Sequence, residues 1–285
     1  MPRRVPGPQI SAGQGAGRIV LCMKWGRLFS PDYVNVLFNA CRRNLPGPFR
    51  FICLTEDAQG FVAGIEVLPL PDLGLEPQDW YTKGVWPKLG LFLRDLHGLS
   101  GRCLFIDLDM VIAGPLDDFF TQPGRFISTD MGAGWRPQGS RAGGGRAGGG
   151  RLADAAPETG TCLFAFDIGA EAHVAESFLR DPQAVMAKFH NEQDYVGAMV
   201  RPMAFWPRGW VISFKRFLRR PVGIDLFLAP HAPPPGAKVV AFHGDPRPAD
   251  LLRPGRGRWD RFPHMGHGQV RWMAEYWTAH GGHLP

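Results

Sequence analysis

Short apolar runs alternate with segments of helical periodicity through the first 110 residues. Arg18–Met23, Phe49–Leu54 and Arg102–Asp107 are continuous apolar runs of strand length. A helix is predicted from Ser30 to about Asn44, because serine is a good N-cap and the following proline suits the first helical turn. A short amphipathic helix is predicted at Pro87–Leu96. This alternation predicts an α/β fold with a mostly parallel central sheet that helices cover on both faces.

The rest of the chain continues the same pattern. Further strands are predicted at Ile65–Leu70, Phe126–Thr129, Thr161–Asp167 and Lys238–Phe242, and further helices at His173–Leu179, Pro182–Phe189, Gln193–Val200 and Gln269–His280. Residues 18–285 are therefore expected to form one domain. Residues 1–17 are expected to be a flexible tail and residues 132–151 a mobile loop, because glycine-rich sequence cannot bury a core.

Composition and charge narrow the class of protein. No stretch approaches the roughly 20 apolar residues that span a bilayer, and the first 17 residues contain no apolar run, so a cytoplasmic protein is predicted. The formal net charge is +6. The densest basic residues are Lys215, Arg216, Arg219, Arg220, Arg253, Arg256, Arg258 and Arg261. A solvated face, the phosphates of an anionic substrate, and a membrane surface or nucleic acid all stay open for them. Without a nucleic-acid-binding motif, no nucleic-acid partner is predicted.

The clearest candidate for chemistry is an acidic pair directly after a buried strand. Asp107 and Asp109 are two residues apart where the apolar run 102–106 ends. Ligands of parallel sheets bind beyond the carboxyl ends of the strands. Two carboxylates at such a place suit Mn²⁺ or Mg²⁺, which can also bind diphosphate oxygens. The alternative is a pair of solvated acids at an exposed strand end.

Two later segments carry polar groups at element ends. His243, Gly244 and Arg247 follow an apolar strand; histidine is a common metal ligand, glycine lets a backbone approach phosphate, and arginine binds phosphate. A structural histidine is the alternative. Gln193 and Asp194 lie at the start of a predicted helix, where they either face a sugar or serve as capping residues.

The order of these motifs resembles a known family. Asp107-Leu108-Asp109, then Glu192-Gln193-Asp194, then His243-Gly244-Asp245-Pro246-Arg247-Pro248 resembles the DxD, (D/E)QD and HGxxKP motifs of family 8 retaining glycosyltransferases. This is the group of glycogenin and bacterial galactosyltransferases, which have the GT-A fold. Glu192 stands where aspartate is more usual and Arg247 where lysine is usual. KWGRLFSPDYVN, FRFICLTEDAQG, WPKLGLF and FWPRGWVISFK also resemble bacterial hypothetical proteins with glycosyltransferase-like sequences. The resemblance covers roughly residues 19–248.

The resemblance implies a role for each matched residue. Asp107, Asp109 and His243 would hold Mn²⁺ or Mg²⁺. Gly244, Arg247 and Lys88 would face the diphosphate, and Gln193 and Asp194 would flank the anomeric carbon of the donor sugar. Lys24, Gly26, Thr55 and Asp57 would bind the nucleoside. The implied activity is retaining sugar transfer from a nucleotide-sugar donor, most often a UDP-sugar, to a glycan, lipid or protein acceptor that the motifs do not identify.

Two other functions fit part of the sequence. Asp107-Leu108-Asp109-Met110-Val111 also matches the nucleophile motif of haloacid-dehalogenase-type phosphatases, and Gly244-Asp245 followed by Asp250 matches their later acidic motif. That interpretation leaves the preceding hundred residues, Glu192–Asp194 and His243 without a role. A non-catalytic protein that binds sugar nucleotides or glycans is the second alternative.

Overall fold

A computed structural model of the protein describes residues 17–76, 84–132 and 157–285. Its strands are β1 (Arg18–Lys24), β2 (Phe49–Thr55), β3 (Glu66–Leu68), β4 (Arg102–Ile106), β5 (Met110–Ile112), β6 (Phe126–Asp130), β7 (Thr159–Asp167), β8 (Ala204–Phe205), β9 (Val211–Ser213) and β10 (Val239–Ala241). Seven of them form a central sheet in the order β3-β2-β1-β4-β7-β6-β8, and the other three form a small sheet in the order β5-β10-β9.

The central sheet is parallel from β3 through β2 and β1 to β4. Strand β7 runs antiparallel between β4 and β6, and β8 is parallel to β6. The prediction of an α/β fold with a mostly parallel sheet is therefore confirmed. Because β1, β2 and β4 run in one direction, their carboxyl ends open at the same edge of the sheet, where ligands of such folds bind.

Helices cover both faces of this sheet. They are α1 (Pro31–Asn44), α2 (Asp117–Thr121), α3 (Ala172–Arg180), α4 (Pro182–Lys188), α5 (Glu192–Met199) and α6 (Arg271–Ala279). In β1, Val20 and Cys22 pack into the apolar cluster with α1 and α6, whereas Ile19, Leu21 and Met23 pack into the cluster with α3 and α5. Two buried faces explain why this strand is apolar at nearly every position.

One predicted helix was wrong in type and length. The segment expected as an amphipathic helix at Pro87–Leu96 is a 3₁₀ helix at Trp86–Phe92, and all seven of its residues are buried. A segment enclosed on every side has no solvent-facing stripe, so helical amphipathicity was the wrong pattern to expect. The predicted cap at Ser30 also differs, because Ser30 is extended but its side chain makes no capping hydrogen bond.

The predicted tail (1–17) and glycine-rich loop (132–151) lie outside the described residues, apart from Gly17 and Gly132. Their structure stays a prediction. Within the described ranges, every helix is too short or too polar to cross a bilayer.

Candidate functional site

The acidic pair lies in the turn between β4 and β5. The Asp107 N–H donates to the Cys162 carbonyl of β7 at 2.9 Å, which fixes where the chain leaves the central sheet. The Phe242 N–H, at the end of β10, donates to the Asp109 carbonyl at 3.2 Å. Two segments that lie far apart in the sequence, the acidic turn and the strand that delivers His243, are therefore joined directly through the backbone.

A buried lysine stands behind the acidic pair. Lys88 is 5% exposed, and its Nζ lies 2.9 Å from Oδ1 and from Oδ2 of Asp107 and 3.4 Å from Oε1 of Glu192. It also donates to the Thr161 carbonyl at 3.2 Å. Burial alone would lower its pKa, but the two carboxylates outweigh burial and raise it, so Lys88 is a fixed positive charge.

The surroundings of the two aspartates oppose their ionisation. Burial raises the pKa of Asp107, while Lys88 opposes that shift. Burial and the neighbouring charge of Asp107 raise the pKa of Asp109 to about 8. An added cation would favour the charged forms of two carboxyl groups whose ionisation burial and their mutual repulsion oppose, so this pair suits a divalent ion.

His243 and Gly244 follow β10 at the same edge. The His243 Nε2 lies 2.8 Å from the Ser213 hydroxyl, and Lys215 Nζ donates to the His243 carbonyl. Burial, together with the charges of Lys215 and other basic residues, lowers the pKa of His243 to about 4, so its imidazole is neutral, the form that binds metals. Gly244 has φ +67°, a conformation that favours glycine.

Two cavities meet at this edge. The larger, of about 510 Å³, is mostly apolar, and the smaller, of about 400 Å³, has polar groups from α5 and β7. The residues that line both are Val85, Lys88, Asp107, Asp109 and Gly244. Arg247 lines the larger cavity and His243 the smaller. Val85 is a β-branched residue at φ +56°, a strained conformation of the kind that collects at functional sites.

The predicted sugar-facing motif divides between two environments. Gln193 lines the smaller cavity, and its Oε1 accepts from the Thr161 N–H at 3.1 Å. Asp194 is exposed, is not among the described lining residues, and its N–H is capped by Asn191. Glu192 was predicted only as part of the motif, yet it is buried in the cavity wall, where Thr161 donates to it and Lys88 pairs with it.

The four residues assigned to the nucleoside lie beside the larger cavity rather than on its described wall. Lys24 and Thr55 are buried, the Gly26 N–H donates to Glu56 at 2.7 Å, and Asp57 accepts from the Gln59 N–H. Their binding role stays a prediction. Part of the wall is formed by residues that were not predicted as site residues, among them Trp25, Arg27, Leu28 and Phe29. Their placement directly after β1, at a parallel strand's carboxyl end, is the signal that could have identified them.

The predicted metal ligands share the smaller cavity but are not gathered into a tight triad. Among the described residues, the group of three acid, histidine or cysteine side chains whose ligand atoms all lie within 4.8 Å is Asp225, Asp260 and His264. Asp107, Asp109 and His243 do not meet that distance, so their joint coordination of an ion stays a prediction. The two carboxylates fit a divalent cation by their chemistry and by their shared cavity.

The phosphatase interpretation requires Asp245 at the acidic pair. Instead, Asp245 pairs with Arg247 at 3.1 Å and with Arg261, and it is not among the described residues that line either cavity. Nothing in this geometry favours that alternative.

Two solved glycosyltransferase structures are similar to this chain. The galactosyltransferase LgtC, solved in complex with donor and acceptor sugar analogues, has a TM-score of 0.55 at 11% identity over 92% of this chain and 95% of LgtC. The glycosyltransferase GlyE of Streptococcus pneumoniae TIGR4 has a TM-score of 0.52 at 11% identity over 92% of this chain and 62% of GlyE. No protein-family model and no curated protein sequence matches the chain. Identity this low shows fold rather than activity; the chain has the GT-A-like fold of these glycosyltransferases, as predicted.

Proposed function

We propose that the protein is a metal-dependent glycosyltransferase that takes a sugar from a nucleotide-sugar donor. The observation that carries this proposal is the meeting of an apolar and a polar cavity at Asp107, Asp109 and Lys88. A nucleotide sugar has the same division, with a flat base at one end, a hydroxyl-rich sugar at the other and a diphosphate between them. The GT-A-like fold supports the same assignment.

The larger cavity suits the nucleoside and the diphosphate. Trp25 and Phe29 offer aromatic faces against which a nucleobase can stack. Arg247 lies with its guanidinium 5.8 Å from the centre of the Phe29 ring, and Lys88 lines the same cavity. These two cations, with the open backbone at Gly244, would bind the diphosphate oxygens. A uridine nucleotide is our choice of donor because of the sequence resemblance to family 8.

The acidic pair would hold Mn²⁺ or Mg²⁺. Asp107 and Asp109 would provide carboxylate oxygens, and His243, which lines the same smaller cavity, a neutral imidazole. A divalent cation supplies charge that stabilises the diphosphate as it leaves. Lys88 would add to that stabilisation from a position that its ion pairs fix in advance.

The smaller cavity would receive the donor sugar. Gln193 and Asn191 present amide groups to it, and Glu192 fixes the side of the cavity next to Lys88. We propose Gln193 as a contact to the sugar near its anomeric carbon, with Asp194 as the predicted second residue. A retaining outcome needs no separate general base if the leaving phosphate accepts the proton of the acceptor hydroxyl.

A screen of nucleotide sugars tests the proposal. Melting temperature is measured with each donor in the presence of Mn²⁺ or Mg²⁺, since a ligand that binds only the folded state raises it. Donor hydrolysis is then assayed beside a generic phosphatase substrate. We expect a metal-dependent rise and slow hydrolysis with one donor. Stabilisation without turnover, with any acceptor tried, would support the binding-protein alternative, and turnover of the phosphatase substrate alone would refute sugar transfer.

A further inference from the structure

Two neighbouring loops expose apolar side chains to solvent. We call them the apolar loops; they comprise residues 221–228 and 261–263. Phe227 and Phe262 are each 84% exposed, and Val222 and Leu228 are about half exposed. Single exposed apolar residues are common, but several large ones on adjoining loops mark an interaction surface.

Hydrogen bonds hold these loops together. Asp225 is buried, and its Oδ2 accepts from the Met265 N–H at 2.6 Å and from His264 Nδ1 at 3.2 Å. His267 Nε2 lies 3.0 Å from the Leu226 carbonyl. The loop that bears Phe227 is thereby fixed to the segment that follows Phe262, so both rings are presented by one framework.

The stretch of sequence that contains the apolar loops is rich in lysine and arginine, some of which lie at the cavities. Residues 215–261 contain ten lysine and arginine residues and four aspartate residues, an excess equal to the net charge of the whole chain, +6. Arg220 donates to the Ala229 carbonyl, and Arg258 donates to the Asp260 and His264 carbonyls. Carbonyl groups satisfy these guanidinium donors without neutralising their charge. Arg256 is exposed.

We propose that the apolar loops dock on an anionic lipid bilayer. Phe227 and Phe262 would enter the headgroup region, and Arg220, Arg256 and Arg258 would face lipid phosphates. A second copy of the chain on this surface would bring like charges together. A nucleic acid would leave the aliphatic side chains of the loops without a partner. This inference does not depend on the proposed sugar transfer.

Vesicle sedimentation with the full chain tests the inference. The vesicles contain either phosphatidylcholine alone or phosphatidylcholine with about one third phosphatidylglycerol. The test variant is Phe227→Ser with Phe262→Ser. The control is Val62→Ser with Leu179→Ser, which removes two exposed apolar side chains, 40% and 42% exposed, that lie outside the apolar loops.

We expect the wild type and the control to bind anionic vesicles more tightly than neutral ones. The phenylalanine variant should bind at least about a hundredfold more weakly, because it lacks the two aromatic side chains that would be buried in the bilayer. Raising NaCl from about 0.1 to 0.5 M should weaken wild-type binding about tenfold, since salt screens the arginine contacts.

Three results would overturn the inference. The wild type could fail to sediment with anionic vesicles, or the phenylalanine variant could bind as well as the control. Light scattering could instead show a wild-type dimer that the phenylalanine variant dissociates without any vesicle binding, which would make the surface an interface between copies. Circular dichroism and melting temperature verify that each variant is folded.

Discussion

Two acidic groups of this molecule differ in what surrounds their carboxylates. Asp225 and Asp260 lie with His264 in the tighter arrangement, but their oxygens are already bonded. Asp225 accepts from the Gly223 and Met265 N–H groups, and although burial opposes the shift, these bonds lower its pKa. Asp260 accepts from the Arg261 N–H at 2.8 Å and pairs with Arg219 at 3.4 Å.

Asp107 and Asp109 are less tightly grouped with a histidine, yet they face cavities and repel each other. The contrast is clearest in the pKa, which is lowered for Asp225 and raised to about 8 for Asp109. Nearness of ligand atoms alone therefore does not identify a metal site. A carboxyl group whose ionisation the protein opposes, beside space for an ion, is the better criterion.

The largest expected effect is on the rate of sugar transfer, which should depend on the Asp107 and Asp109 group and not on the Asp225 and Asp260 group. Asp109→Asn keeps the size of the side chain but removes a charge from the proposed metal site. We expect kcat/KM for sugar transfer to fall about a thousandfold, some 4 kcal/mol of barrier. Asp260→Asn, in the other group, should stay within about threefold of the wild type. If Asp260→Asn lost activity and Asp109→Asn kept it, the metal site would have to be assigned to Asp225, Asp260 and His264 instead.

The next effect concerns the stability that Lys88 gives to the cavity wall. Lys88→Met leaves the buried Glu192 and the partly buried Asp107 without their cation, so the free energy of unfolding should fall by about 3 kcal/mol. Urea denaturation measures this change. The control is Arg94→Met, which breaks the exposed pair with Glu176 and should cost less than about 1 kcal/mol. Equal losses of unfolding free energy in both variants would show that the Lys88 ion pairs stabilise the fold no more than an exposed ion pair does.

Proton competition gives the third prediction. With a pKa of about 8, Asp109 is mostly protonated at pH 6 in the metal-free protein, and a cation must displace that proton. The Kd for Mg²⁺, measured by calorimetry, should fall about tenfold per pH unit from pH 6 and level off above pH 8. Asp225→Asn should leave this curve unchanged. An affinity independent of pH over that range would contradict the assignment of Asp109.

The smallest expected effect concerns Asp225, whose carboxylate already accepts hydrogen bonds within the protein. Asp225→Asn weakens the hydrogen bonds that fix the loop, and we expect it to cost about 1–2 kcal/mol of unfolding free energy at pH 7. Because folding lowers the pKa of Asp225, its stabilisation is present above the unfolded value of about 3.9 and is lost as pH falls through the folded value. Urea unfolding of both proteins at pH 7 and pH 3 should therefore give a smaller difference at pH 3.

Much of the fold could be predicted because its strands are buried on both faces. β1, β2 and β4 are apolar at most positions, and β7 is apolar from Cys162 to Phe166, so these strands can be predicted without knowing which strands they pair with. The small sheet was not predicted as such. Each of its strands is three residues long, too short to show an alternation of apolar and polar residues. The strand β10 pairs with β9 and with β5, which lies more than a hundred residues earlier in the sequence.

Residues of the candidate site could be predicted only where they belong to a recognisable sequence motif. Asp107 and Asp109 directly follow an apolar strand, which made them easy to identify. Lys88 and Gly244 line both cavities with them, and Gln193 lines the smaller cavity. Trp25 and Phe29 went unnoticed because aromatic residues after a strand have no fixed spacing. The bond between Asp225 and His264 joins positions 39 residues apart, and only the tertiary fold brings them together.

The position of β10 between β5 and β9 has a consequence for protein synthesis. The seven-stranded sheet uses no residue beyond Phe205, whereas the small sheet that closes the acidic turn waits for Val239–Ala241. At about 5–20 residues per second, β10 leaves the ribosome about 6–25 s after β5. During that interval the acidic turn lacks the strand that joins it through Phe242. A chain interrupted between Phe205 and Val239 would contain the residues of the main sheet but would lack His243, Gly244 and Arg247.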